Sequence, residues 1–228
     1  MTKTSNLEKK VETLFKLGAH LGHRKNKVHP KAKKFIYKIE NQVSIIDLTQ
    51  TVSLLEKAKE YVNQLKKQKK SILFVGTKRS AATIINDLGE KNNLYYLTTK
   101  WPPGFLTNFE MFLKNNIQKM NKMREEKEKG KWQKFVKHEQ IKLEKELRKI
   151  ERVYQGVAAM KKVPDALFIV DIKRENNALD EAKKLNIPVI AIVDTNVNPD
   201  LVDYPIPAND DSVETVTYII KEIVDSYY

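Results

Sequence analysis

The stretch ILFVGTKRSAA, residues 72–82, decides how the rest of the chain is read. Four apolar residues without alternation run into Gly76, and a helix is expected to follow from about residue 80. An apolar run of this kind, ending in glycine before a helix, marks a strand of a parallel sheet buried on both faces. In nucleotide-binding folds that junction holds a phosphate. A dinucleotide site needs G-x-G-x-x-G and a P-loop needs G-x-x-x-x-G-K-[ST]. Here Thr77, Lys78, Arg79, Ser80 and Ala81 follow Gly76, so both patterns fail after the first glycine. What remains is a helix start with two cations beside it, which suits the phosphate of a free nucleotide or of an RNA backbone.

The same strand–helix alternation recurs on either side. LYYLT (94–98), ALFIVD (166–171) and VIAIVD (189–194) read as further strands, with a helix over about residues 176–185. YPIP (204–207) and a closing helix over residues 211–227 complete the pattern. Upstream, residues 49–65 form an amphipathic helix, and residues 7–17 another that ends at Gly18. FIYKI (35–39) and VSIID (43–47) read as a short hairpin. The fold class is α/β, with a doubly wound parallel sheet.

Residues 107–160 break the alternation. Leu143, Leu147, Ile150, Tyr154 and Val157 step by heptad spacing, and Leu113, Ile117, Met120 and Met123 form a looser seam upstream. Gly130 marks a bend between them. We expect an antiparallel coiled-coil helical hairpin over residues 107–160, inserted into an α/β domain of residues 1–106 and 161–228. Residues 114–152 hold 14 basic residues against 7 acidic ones, so the outer faces of the hairpin are basic on balance.

Net charge is +13 over 228 residues, and its distribution is uneven. Residues 1–162 hold 37 Lys and Arg against 16 Asp and Glu, whereas residues 163–228 hold 5 against 13. Such asymmetry points to a polyanion-binding face with a separate remainder. Cysteine is absent, which removes disulfides and thiolate metal sites. No apolar run reaches the roughly 18–20 residues of a membrane span, so no membrane partner is expected.

From residue 13 to residue 39 there is no acidic residue. Arg24, Lys25, Lys27, His29, Lys31, Lys33 and Lys34 fall in that gap and are candidate RNA contacts, with Lys78 and Arg79 at the sheet edge. In KWPPGFLTNF (100–109), Lys100 beside Trp101 combines a phosphate contact with a stacking surface, and Asn108 stands at a helix start. The other reading of Trp101 is an anchor that fastens its loop to the core. His20, His23 and His29 lack a neighbouring carboxylate or thiolate in sequence, so no metal is expected. No nucleophile motif is present, and Asp171 and Asp194 read as turn residues at strand ends. A Rossmann-like enzyme holding a nucleotide or other anionic cofactor stays the competing reading.

The chain resembles one family closely. LGAHLGH (17–23), ILFVGTKR (72–79), the loop with Trp101, Gly104 and LTNF (106–109), PDALFIVD (164–171), IPVIAIVDTN (187–196) and VDYPIPANDDS (202–212) stand in its order and spacing. This is the small-subunit ribosomal protein S-two family, in its bacterial or organellar form. The resemblance implies a flavodoxin-like doubly wound sheet with a protruding coiled-coil hairpin, and no enzymatic activity or cofactor. It implies small-subunit ribosomal RNA as the main partner, with neighbouring small-subunit ribosomal proteins, ribosomal protein S-one among them, and no homo-oligomer. A ribosome-bound location follows, in the bacterial cytoplasm or in an organelle. The chain departs from the family at Pro102-Pro103, where Leu-Gly-Gly is usual after the tryptophan, and at GVAAMKKV (156–163), which is poorer in glycine.

Overall fold

The computed structural model describes residues 2–228, with side chains from Leu7 onward. Helix α1 (Thr2–Lys16) leads into β1 (Leu21–Arg24), two short 3-10 turns, β2 (Ile36–Glu40) and β3 (Val43–Ile46). These three strands form a small antiparallel sheet in the order β1-β3-β2. Asn41 and Gln42 take φ of 48° and 64°, the left-handed pair that a tight two-residue hairpin needs.

Helix α2 (Leu48–Lys67) starts at Asp47, whose carboxylate accepts from Thr49 N at 3.0 Å. β4 (Ile72–Val75), α3 (Arg79–Asn92) and β5 (Tyr95–Leu97) follow. After the insertion come β6 (Ala166–Val170), a helix at Asn176–Lys184, β7 (Val189–Val193), β8 (Tyr204–Pro207) and a final helix at Val213–Tyr227. The large sheet is parallel throughout, in the order β5-β4-β6-β7-β8. Counted along the chain this is 2-1-3-4-5, the flavodoxin-like order.

Alternate strand residues feed two apolar layers. Ile72, Phe74, Phe168, Val170, Ile190 and Ile192 pack on one face, under α2, α3 and the final helix. Leu73, Val75, Leu167, Ile169, Ala191 and Val193 pack on the other. Central strands buried on both faces carry no polar alternation, which is why they read as continuous apolar runs.

The insertion comprises α4 (Phe109–Phe112), a π-type turn at Leu113–Ile117, α5 (Gln118–Glu128), a bend with Gly130 at φ 67°, and α6 (Lys137–Tyr154). The two later helices are α7 (Asn176–Lys184) and α8 (Val213–Tyr227). Met120, Met123, Trp132 and Leu147 bury together, with Leu143, Ile150 and Tyr154 against them. The upstream seam expected from sequence divides in two. Ile117, Phe109, Val157 and Met160 are buried in the second layer of the main core, with Leu113 packed against it, while Met120 and Met123 bury with Leu147 of α6. At the base, the ring of Tyr96 lies between Gly89 and Gly156. A Cβ at either glycine would stand 2.3 Å or 2.5 Å from that ring.

Candidate nucleic-acid interface

The basic segment is fastened to the carboxyl edge of the large sheet through the loop after β7. Backbone N–H groups of His23 and His29 donate to Thr195, to its hydroxyl at 2.9 Å and its carbonyl at 2.8 Å. Ser44 Oγ donates to the His23 carbonyl at 2.6 Å and lies 3.1 Å from Thr195 Oγ1. Gly22 permits this closeness, because a Cβ there would sit 2.7 Å from Thr195 and 2.8 Å from Ser44. β1 was not foreseen, and LGHR carries no strand periodicity; this docking shapes it. Residues 30–35 form a 3-10 turn that buries Ala32 and leaves Lys31, Lys33 and Lys34 exposed.

His23 lies in a polar nest. Its Nδ1 meets Asp194 Oδ2 at 2.9 Å and its Nε2 meets Asn196 Nδ2 at 3.1 Å. The bond to Asp194 raises the imidazole above its ordinary pKa of 6.5, against the pull of partial burial. His23, Asp194 and Asp211 offer ligand atoms within 4.8 Å of one another, a set that can accept a divalent cation. His20 and His29 are outside it, so the histidine grouping considered in sequence does not form. His20 stacks on Phe15 instead, and burial lowers its pKa.

Lys78 differs from its expected role. Its ammonium reaches Asp210 at 2.6 Å, Asp211 at 2.7 Å and Asp171 at 3.5 Å. Half-burial opposes the charge on Lys78, but these carboxylates outweigh it and raise the pKa. Asp210 is pushed up to about 6 by its own burial, with Lys78 pulling the other way. The lysine joins the end of β4 to the loop after β8 and is not itself free for phosphate. Sequence reading missed the partners because they lie 132 residues away, although two adjacent aspartates at a strand end were a signal. Arg79 next to it is exposed, with no ion pair among the described residues.

The crevice where β4 has neighbours on both sides, the usual ligand position of such sheets, is filled by the protein. Glu175, buried behind the loop, accepts from the Thr77 backbone N–H at 3.1 Å and from the Thr77 hydroxyl, and Arg174 Nε donates to that hydroxyl at 2.8 Å. Burial raises the Glu175 pKa above its ordinary 4.5. With Asp171 and Glu175 in that place, a pyrophosphate would face carboxylates, which disfavours the nucleotide reading.

Trp101 is also corrected. Its ring is buried, edge-on to Phe105 at 5.3 Å, and its indole N–H donates to Glu181 Oε1 at 2.9 Å. The anchoring reading holds, and no face is open for base stacking. Glu181 also accepts from the backbone N–H groups of Gly104 and Leu106, both at 2.8 Å. The signal for this partner was an acid among Ala178, Leu179 and Ala182 on the apolar face of α7. Lys100 and Asn108 are exposed at the outer end of the sheet, and Asn108 makes no side-chain cap bond.

The expected RNA contacts therefore fall into three states. Arg24, Lys25, Lys27, Lys33, Arg79 and Lys100 are exposed and in no ion pair among the described residues. Lys31 and Lys34 share Asp200, at 3.3 Å and 2.5 Å, in an exposed cluster of the kind that contributes little to stability. Lys78 and Trp101 are engaged inside. His29 lies between, half-buried, its ring accepting from Lys31 N at 3.2 Å.

Strand order, filled crevice and helical insertion define a flavodoxin-like α/β domain elaborated with a helical arm. A family model described as Ribosomal protein S2 matches residues 14–228. The chain is 42% identical over 216 residues to small ribosomal subunit protein uS2 of Coprothermobacter proteolyticus, covering 95% of this chain and 80% of that one. It is 44% identical over 206 residues to small ribosomal subunit protein uS2c of Galdieria sulphuraria, covering 90% and 87%. To uS2 of Dictyoglomus thermophilum it is 40% identical, covering 95% and 87%. The chain belongs to the ribosomal protein S2 family. No helix of the described residues is long and apolar enough to cross a membrane.

Proposed function

We propose that this protein is a structural component of the small ribosomal subunit, holding ribosomal RNA through the exposed cations of residues 24–34, Arg79 and Lys100. Its work is assembly and translation on the ribosome, in cytoplasm or organelle, and the family is not an enzymatic one. The observation that carries the reading is the basic segment itself. Hydrogen bonds to Thr195 fix its backbone on the sheet edge while Arg24, Lys25, Lys27 and Lys33 project outward. A preorganised row of cations on a rigid base is what phosphate positioning requires, since phosphate contacts fix orientation and carry no sequence information. The insertion, as a coiled-coil strut, meets rRNA or neighbouring small-subunit proteins, with ribosomal protein S-one a candidate among them. Sedimentation of cell extract on a sucrose gradient tests the reading. Co-migration with small subunits is expected; a free protein retaining a nucleotide would refute it.

A further inference from the structure

The cations of the large sheet are distributed against expectation. Its carboxyl edge, where Lys78 and Arg79 read as a phosphate-facing pair, carries Asp171, Glu175, Asp194, Asp210 and Asp211. The opposite, amino edge carries exposed lysines, and its acids Asp165 and Asp203 are turned to backbone N–H groups of Ser71 and Val189. Resting on the ribosomal reading, we propose that this amino edge is a second RNA-binding face, built from Lys67, Lys69, Lys70 and Lys161.

Local backbone structure assembles it. α2 stops at Lys67, and Gln68 N donates back to Gln64 O at 3.1 Å. Lys69 then takes a left-handed φ of 53°, and Lys70 N closes on Leu65 O at 2.9 Å. The turn is tight, so its lysines cannot fold back on the helix and all are exposed. Ser71 next bonds through its N–H and hydroxyl to Asp165 Oδ2, at 2.9 Å and 3.0 Å. That ties the loop before β4 to the loop before β6 and brings Lys161, also exposed, to the same edge. Lys162 is paired with Asp165, but Lys67, Lys69, Lys70 and Lys161 form no ion pair among the described residues.

Helix-end electrostatics is the simpler account of such lysines, because cations in a last turn complement the macrodipole. It covers Lys67. It does not cover Lys69 and Lys70, which lie beyond the helix, or Lys161, which follows a different one. Lysine suits an irregular phosphate array, as a mobile point charge on a long stem. An aromatic stands beside the patch as well: Tyr227 donates its hydroxyl to Lys70 O at 2.8 Å and meets Tyr228 edge-on, and Tyr228 is 55% exposed. Cations beside an open aromatic ring fit RNA better than an acidic protein surface.

Lysine footprinting of the full-length protein tests the proposal, with in vitro transcribed small-subunit rRNA as the probe and an amine-acetylating reagent as the reporter. Lys67, Lys69, Lys70 and Lys161 should lose reactivity on binding along with Lys25 and Lys27, while Lys173 and Lys221 stay reactive. Replacing the four with alanine should flatten the dependence of log affinity on log salt by about three units. Protection of Lys25 and Lys27 alone, with an unchanged slope in the fourfold variant, overturns the second face and leaves the ribosomal reading intact. Protection of the four only in assembled subunits, and not by rRNA alone, assigns the face to a neighbouring protein and also overturns it. If the unmodified protein does not bind rRNA, both readings fall together.

Discussion

Glu181 holds Trp101: its carboxylate accepts the indole N–H at 2.9 Å across 80 residues of sequence. With Gly104 N and Leu106 N on the same two oxygens, one side chain folds the whole Trp-Pro-Pro-Gly loop against α7. Glu181→Ala strands donors on Trp101 and Leu106, both buried, and an unsatisfied buried donor costs about 1–3 kcal/mol. We expect a stability loss of about 3 kcal/mol in urea unfolding. A loss below the scatter of surface substitutions would mean that the loop is held by its apolar contacts alone.

The three states of the basic residues make RNA binding uneven across them. Changing Lys25, Lys27 and Lys33 to alanine should flatten the salt dependence of rRNA affinity by roughly two to three units, about 0.7–0.9 for each phosphate released. Lys31→Ala with Lys34→Ala should change it less, because Asp200 already neutralises part of their charge. Filter binding over a range of salt concentrations separates the two sets. Equal effects would show that the pairing with Asp200 opens on binding.

Gly22→Ala forces its new methyl against Thr195 and Ser44. Overpacking of this kind costs about 1–3 kcal/mol, and the strain falls where the basic segment docks. Hydrogen exchange should accelerate at His23 and His29, whose amides bond to Thr195, while β6 and β7 keep their protection. Uniform acceleration would place the strain in the main core instead.

Glu175→Gln should separate from the wild type with pH. The folded-state pKa of Glu175 is raised above 4.5 by burial, so the folded protein binds more protons than the unfolded chain between those two values. Wild-type stability from this group is therefore greatest below pH 4.5 and falls as pH rises through the folded value. The variant, which stays neutral, should gain on the wild type over that window in urea unfolding. A difference that stays constant as pH rises from below 4.5 to neutral would contradict the assignment.

The insertion cannot be excised where its sequence pattern begins and ends. Removing residues 107–160 takes away Phe109, Ile117, Val157 and Met160, all buried in the main core, and should prevent folding. Removing residues 118–153 and joining the ends with a Gly-Ser linker should leave a folded α/β domain that enters small subunits poorly. Circular dichroism reports the first outcome and gradient sedimentation the second. Normal assembly of the shorter deletion would reduce the charges on the arm to solvation.

The strands of the large sheet were legible because burial on both faces leaves nothing polar in them; 72–75, 166–170 and 189–193 read as such at sight. The Gly130 bend and the Leu143–Leu147 seam were legible for a similar reason, being local periodicity. What stayed hidden depends on pairs far apart in sequence. β1 pairs with β3 and is fastened by Ser44 and Thr195, and the fates of Lys78 and Trp101 are set by Asp210 and Glu181. Charge in a sequence says how many cations a surface has, and only the fold says which of them are already answered.

The ring of Tyr96, wedged between Gly89 and Gly156, has a mechanical consequence. α6 rises about 27 Å over its 18 residues, so a small force at the Gly130 elbow becomes a large torque at the base. Neither glycine leaves room for a side chain against the ring, and the ring belongs to β5, so the base of α6 is packed backbone to ring on the sheet. The π-type turn at Leu113–Ile117 roots the other helix of the pair in the same core, because Ile117 is buried there and Leu113 packs against it.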